Sequence, residues 1–233
     1  MKFLGLGLVC AATLEELETF GMAGAESVEA GKLWRIREGY AAVTGVGIPI
    51  TLLRLIPWLE SLKPGWLLNT GIAGAYTDSR FQFGDVVAAT SEVFADIGME
   101  LPTEETFLPI SKTPFADPLL QKPLKLNVPN WIQETETTPR VRFGKGATVN
   151  RCTGRSGTGH LRRDLFNVDF ESMEGAALAL ATTVRHIPML EVRSISNLAS
   201  DRNMQPENIQ HALQSLKTFW EIHRDQLSGD EPS

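Results

Sequence analysis

Cysteine is scarce: Cys10 and Cys152 are the only two thiols in 233 residues. They form neither a Cys-x-x-Cys pair nor a Cys/His array, which excludes a disulfide scaffold and a structural zinc site. No metal and no cofactor is expected, and a reducing, cytoplasmic setting suits such a chain. Sustained basic blocks are also missing, with 22 Lys and Arg against 28 Asp and Glu and a formal net charge of -6. That balance argues against nucleic acid as a partner. Nowhere does an apolar run approach the ~20 residues of a membrane span, so no membrane role is expected. The third glycine of a dinucleotide fingerprint does not follow Gly5-x-Gly7, which argues against a Rossmann cofactor site. No internal repeat is visible.

What remains is ordinary globular composition, 42% hydrophobic and 21% charged, enough to bury one sizeable core. The length fits a single α/β domain over residues 1–233. Lys2 ahead of an apolar run imitates a secretory signal peptide. Only one positive charge precedes that run, however, and Val9 stands where a lipoprotein signal places a small residue before its cysteine. A helix start, Thr-Leu-Glu-Glu-Leu-Glu, follows at once. A buried parallel strand reads equally apolar and accounts for the helix as well.

Apolar runs alternate with helical stretches along the chain. Strands are expected over 2–9, 33–37, 40–46, 66–69, 83–89, 91–95, 141–149, 167–170 and 187–195, and helices over 13–20, 48–62, 171–186 and 208–226. This grammar predicts a central mixed, largely parallel twisted sheet flanked by helices. Residues 101–140 are rich in proline and poor in periodic apolar positions. An irregular insertion is expected there, partly mobile and bordering the site. Residues 150–160 form a Gly-, Ser- and Arg-rich segment, and the tail at about 228–233 reads as frayed.

Four features carry candidate chemistry. Thr13 caps a helix whose first turn holds Glu15 and Glu16, at the carboxyl end of the first strand, where parallel sheets bind ligands. The small-residue loop expected over 70–75 lets a backbone approach a ligand closely, though a tight turn explains it equally. Glu171 and Glu174 stand between an apolar strand and an Ala-rich helix, a costly place for carboxylates unless something uses them. Helix capping is the plainer account. Asn197 ends an apolar strand that also carries Glu191 and Arg193, where Asn is commonly a turn former.

Asn69-Thr-Gly-Ile-Ala-Gly-Ala75 followed by Gly84-Asp-Val-Val87, then Met173-Glu-Gly-Ala-Ala177, then Val192-Arg-Ser-Ile-Ser-Asn197 together resemble the nucleoside phosphorylase and nucleosidase superfamily. That superfamily includes the methylthioadenosine/S-adenosylhomocysteine nucleosidases. The likeness covers nearly the whole chain and is weakest over 101–140. It implies a nucleoside phosphorylase-like fold, a purine nucleoside as small-molecule substrate, and a homo-oligomer, dimer or higher. It also implies Met173 beneath the ribose, Glu174 on the 2'-hydroxyl, and Glu15 as the water-activating base with Glu16 as the neighbouring alternative. Ile72, Ala73, Gly74 and Phe170 are then expected at the substrate. N-glycoside cleavage passes through an oxocarbenium-like sugar, which a carboxylate stabilises.

Two departures from the adenine-specific nucleosidases matter. They place an Asp where this chain has Asn197, and an amide cannot deliver a proton. Purine phosphorylases acting on 6-oxopurines use Asn for base recognition, so the resemblance implies that Asn197 points to hypoxanthine or guanine rather than adenine. The adenine-specific nucleosidases also have Ser where this chain has Ile72, and no arginine can be assigned to a phosphate pocket, so water is the expected acceptor. These features resemble the futalosine hydrolase branch, which releases hypoxanthine from futalosine in menaquinone biosynthesis. The carboxylate at the 5' end of that substrate would meet Arg151, Arg155 or the loop 94–98. The alternatives are another purine nucleoside hydrolase or phosphorylase, of inosine/guanosine or methylthioadenosine/S-adenosylhomocysteine type, and a non-catalytic purine-binding protein.

Overall fold

A computed structural model describes residues 4–102, 107–200 and 205–227; the expected start of the first strand at 2–3 and the tail at 228–233 lie outside them. In chain order the strands are β1 (Gly7–Ala11), β2 (Glu26–Glu29), β3 (Leu33–Ile36), β4 (Gly39–Val43), β5 (Trp66–Ala75), β6 (Val86–Phe94), β7 (Gly98–Glu100), β8 (Phe107–Pro109), β9 (Leu124–Lys125), β10 (Val141–Thr148), β11 (Phe170–Ser172) and β12 (Met189–Leu198). The helices are α1 (Leu14–Thr19), α2 (Ile48–Leu62), α3 (Ser156–Phe166), α4 (Gly175–Thr183) and α5 (Pro206–His223).

The main sheet runs β11-β10-β6-β12-β5-β1-β4-β3-β2. Its centre is parallel from β12 through β5 and β1 to β4, and again from β6 through β10 to β11. An antiparallel β6–β12 pairing joins the two blocks, so the sheet is mixed. A further antiparallel pairing of β11 with β5 closes a circuit of five strands. The predicted α/β class is what the chain adopts.

Alternation along β1 explains the layering. Val9 and Ala11 face a core built with Leu17 and Phe20 of the α1 region and Leu216, Phe219 and Trp220 of α5. Leu8 and Cys10 face the opposite core, with Leu55 and Leu59 of α2 and Leu178 and Ala179 of α4. A strand buried on both faces reads as a continuous apolar run, which is how residues 7–11 look in the sequence. Each large apolar side chain so buried contributes about 1.5–3 kcal/mol, and Trp220 also donates its indole N–H to Thr70 Oγ1 at 3.0 Å.

One expectation is corrected. Residues 70–75 are not a loop: β5 continues through them, because Gly71 and Gly74 leave room for side chains pressing on the strand. A Cβ at Gly71 would lie 2.5 Å from Glu16 Oε1 and 2.7 Å from an Arg193 guanidinium nitrogen. Residues 156–166 form α3 despite their glycines, with Arg162 buried beneath it. The described part of 101–140 carries β8 and β9 and sends Leu124 and Ile132 into the two cores; its apolar residues are spaced for docking onto a sheet, not for a helix or strand period. Among the described residues, no helix is long and apolar enough to cross a membrane.

Candidate active site

Because β1, β4, β5 and β12 run parallel, their carboxyl ends open on one side. A cavity of about 330 Å³ lies there, lined from β1 and α1 by Ala12, Glu15 and Glu16, from β5 by Ile72, Ala73 and Gly74, from β11 onwards by Glu171, Met173 and Glu174, and from β12 by Ser196 and Asn197. Its size lies at the small end of the range for small-molecule pockets. Val46, Ile209 and Leu213 add apolar wall, and Val46 is 54% exposed at the rim.

The register of β5 explains why distant residues meet. Gly74 pairs with Asn197 on one side and Glu171 on the other. An irregularity between Ile195 and Asn197 turns the end of β12, and Asn197 packs against Gly74, where a Cβ would lie 3.1 Å from its amide nitrogen. Ser196 Oγ donates to Asn197 Oδ1 at 3.1 Å, and Asn197 Nδ2 donates to the Leu198 carbonyl at 3.0 Å. The amide is thus pinned while one N–H and one lone pair remain for a ligand.

The two adjacent glutamates differ. Glu15 is exposed at the edge of the cavity, whereas Glu16 is buried. Glu16 is the third residue of a capping box: its N–H donates to Thr13 Oγ1 at 3.2 Å, while its Oε2 accepts from Thr13 N–H and Oγ1 at 3.0 Å each. Its Oε1 accepts the Ile72 N–H at 2.9 Å. The helix cap therefore holds a carboxylate against β5 inside the cavity.

Glu174 ends the turn between β11 and α4. Its Oε1 accepts the Gly47 N–H at 3.0 Å, a donor aimed by the positive φ of 90° that Gly47 adopts at the start of α2. Its Oε2 lies 3.5 Å from Arg193. Burial raises its pKa above the ordinary carboxylate value, with Arg193 and the Gly47 N–H opposing the shift. Arg193 is buried and held chiefly by Glu191, to whose Oε1 its Nε donates at 2.9 Å. These neighbouring acids hold Arg193 firmly protonated.

Of the expected substrate contacts, Ile72, Ala73, Gly74, Met173, Glu174 and Asn197 do line the cavity. Phe170 does not: it is fully buried in a separate cluster with Ala73, Phe81 and Ile195, because the alternation of β11 turns residue 170 inward and residue 171 to the cavity. Arg151 and Arg155 are exposed and outside the cavity lining; the described residues of 101–140 also lie outside that lining. Sequence reasoning missed the part played by Glu171, which accepts Thr153 N–H at 2.7 Å, Thr153 Oγ1 at 2.6 Å and the Tyr76 hydroxyl at 3.0 Å. These bonds hold the segment that presents Cys152 to the cavity. The only signal was the carboxylate's place between apolar neighbours.

A futalosine hydrolase from Streptomyces coelicolor is 27% identical over 151 residues, covering 64% of this chain. The match spans 61% of that relative's length. A 5'-methylthioadenosine/S-adenosylhomocysteine nucleosidase from Colwellia psychrerythraea, solved in complex with adenine, matches all of both chains with a TM-score of 0.75 at 18% identity. A futalosine hydrolase mutant from Helicobacter pylori matches 96% of this chain and all of its own, with a TM-score of 0.72 at 16% identity. At such identities the structural likeness speaks for the fold. A family model described as the phosphorylase superfamily matches residues 5–221, and with nearly the whole chain accounted for, this protein belongs to that superfamily.

Proposed function

We propose that the chain hydrolyses the N-glycosidic bond of a purine nucleoside, releasing hypoxanthine from futalosine. The observation that carries the reading is one cavity lined by three buried carboxylates, Glu16, Glu171 and Glu174, of which Glu171 is held by Thr153 and Tyr76, and by the amide of Asn197. Leaving-group departure puts positive charge on the sugar, and Glu174 beside Met173 answers it while gripping the 2'-hydroxyl. Glu16, anchored through Thr13 and the Ile72 N–H, takes the water proton. Glu16 replaces Glu15 in that role because its carboxylate is the one buried and fixed. Asn197 meets the 6-oxopurine with a donor and an acceptor, and a mismatched base would leave those groups unpaired.

Water is favoured over phosphate as the acceptor on charge grounds. Among the described residues no arginine or lysine lines the cavity, and Arg193 is engaged with Glu191 and Glu174. A phosphate anion would face the carboxylates of Glu15, Glu16, Glu171 and Glu174 without a free cation among the described lining residues. Futalosine itself is supported by the S. coelicolor relative. A methylthioadenosine/S-adenosylhomocysteine activity is the second reading, favoured by the adenine-bound structural neighbour.

Base release from futalosine, inosine, guanosine, adenosine and methylthioadenosine tests the choice. Futalosine is expected to turn over fastest with hypoxanthine as product, and Asn197→Asp to shift preference towards adenine. Preferential cleavage of methylthioadenosine by the native enzyme would sink the 6-oxopurine reading.

A further inference from the structure

Behind the cavity lies a charge problem that the proposed chemistry does not use. Glu92 of β6 and Glu191 of β12 are both fully buried, and with Glu174 and Glu16 they place four carboxyl groups around one guanidinium, Arg193. Every oxygen of the inner two is accounted for except one on each. Glu191 Oε1 accepts from Arg193 Nε at 2.9 Å and Asn69 Nδ2 at 3.0 Å. Glu92 Oε2 accepts from Thr148 Oγ1 at 2.7 Å, and that oxygen in turn accepts the Ala176 N–H at 2.6 Å. Among the described residues, Glu92 Oε1 and Glu191 Oε2 have no hydrogen-bond donor. Two ionised carboxylates left so would combine desolvation with like-charge repulsion. One proton between them satisfies both oxygens.

Two glycines make the space for this contact. A Cβ at Gly146 would collide with Glu92 Oε1, and a Cβ at Gly175 would lie 2.6 Å from Glu92 Oε1 and 2.7 Å from Glu191 Oε1. The Gly of the Met-Glu-Gly run is therefore matched to the acid pair rather than to the ligand.

We propose that Glu92 is a neutral carboxylic acid whose Oε1–H donates to Glu191 Oε2, making a one-proton pair that presents a single fixed negative charge to Arg193 and so positions Glu174. This deepens the hydrolase reading and rests on it for its catalytic consequence. With Glu191 as its principal partner, Arg193 touches Glu174 only at 3.5 Å, and the Glu174 carboxylate stays available to the ribose. The groups facing the pair are Arg193 on β12, Asn69 on β5, Thr148 on β10 and the backbone at the start of α4, with Glu174 and Glu16 beyond Arg193. Burial and the mutual repulsion of the two acids push the Glu92 pKa well up.

Infrared spectroscopy of the whole protein reads the neutral acid without any assay. A carboxylic-acid C=O band is expected at about pH 8, lost in Glu92→Gln and kept in Glu174→Gln. Thermal melts give a second reading. Folded Glu92 holds a proton that the unfolded chain releases above about pH 4.3, so native stability falls as pH rises. The gain in Tm from Glu92→Gln should therefore grow from about pH 5 to about pH 8. Positioning is read separately: Glu191→Gln leaves Arg193 to Glu174, and the acid limb of kcat/KM should move to lower pH, by about one unit.

A wild-type spectrum without the band, or a pH-independent Tm difference, overturns the shared proton. An unmoved acid limb in Glu191→Gln overturns the positioning role. If no nucleoside is cleaved at all, the hydrolase reading fails while the infrared and melting results still decide the pair.

Discussion

A carboxylate that activates water must be ionised and held still, and Glu16 receives the Thr13 N–H, the Thr13 hydroxyl and the Ile72 N–H. Glu15, one residue earlier, faces solvent. Glu16→Gln is therefore expected to lower kcat by about 10²–10⁴-fold with KM changed by far less, while Glu15→Gln stays within a few-fold of wild type. Steady-state release of the base distinguishes them, and the reverse order would return the role to Glu15. The raised pKa of Glu174 makes a second prediction at this scale. Its working form is the carboxylate, so kcat/KM should fall as pH drops through a pKa above the usual glutamate range. A profile flat down to about pH 4.3 would mean that Glu174 is not the titrating group. The sequence could single out Glu174 and Asn197 because each is polar amid apolar neighbours. It could not choose between Glu15 and Glu16, since both occupy the first turn of one helix and only the cap turns one inward.

At the scale of elements, β5 and α1 form the mechanical base of the site. Gly71→Ala would drive a methyl group between Glu16 and Arg193; overpacking of this kind costs about 1–3 kcal/mol. A fall in Tm with a loss of activity greater than that of a distant variant of equal stability is expected. Thr13→Ala removes the cap, which costs about 1 kcal/mol and about 2–4 °C in Tm for a chain of this size. It should also lower kcat, because the same hydroxyl holds Glu16. Thermal melts paired with kinetics check both variants. The legible elements were those whose cause is local: the apolar run of β1, the periodicity of α2 and α5, and the β10 and β12 strands. Those hidden in the sequence have non-local causes. β5 runs through Gly71 and Gly74 because partner side chains need the room, and α3 forms around the buried Arg162, which donates to Thr153 Oγ1 at 2.7 Å. Phe170 reads from the sequence as a candidate ligand contact because a strand end can face either way, and its pairing with Ala75 is invisible until β11 meets β5.

The whole molecule joins these parts through one sheet whose parallel strand ends converge on the cavity. Val46 at the cavity rim and Leu53 on α2 are 54% and 70% exposed, two apolar side chains that a second copy of the chain would cover. We propose a homo-oligomer on this ground. Light scattering coupled to gel filtration should give at least double the 25.6 kDa chain mass, and a monomer at micromolar concentration would contradict it. The central claim concerns what enters the cavity and what attacks there. Hypoxanthine release from futalosine, measured in phosphate-free buffer and again with phosphate added, tests it most directly. Equal release in both conditions is the predicted result, and release that appears only when phosphate is supplied would contradict the account.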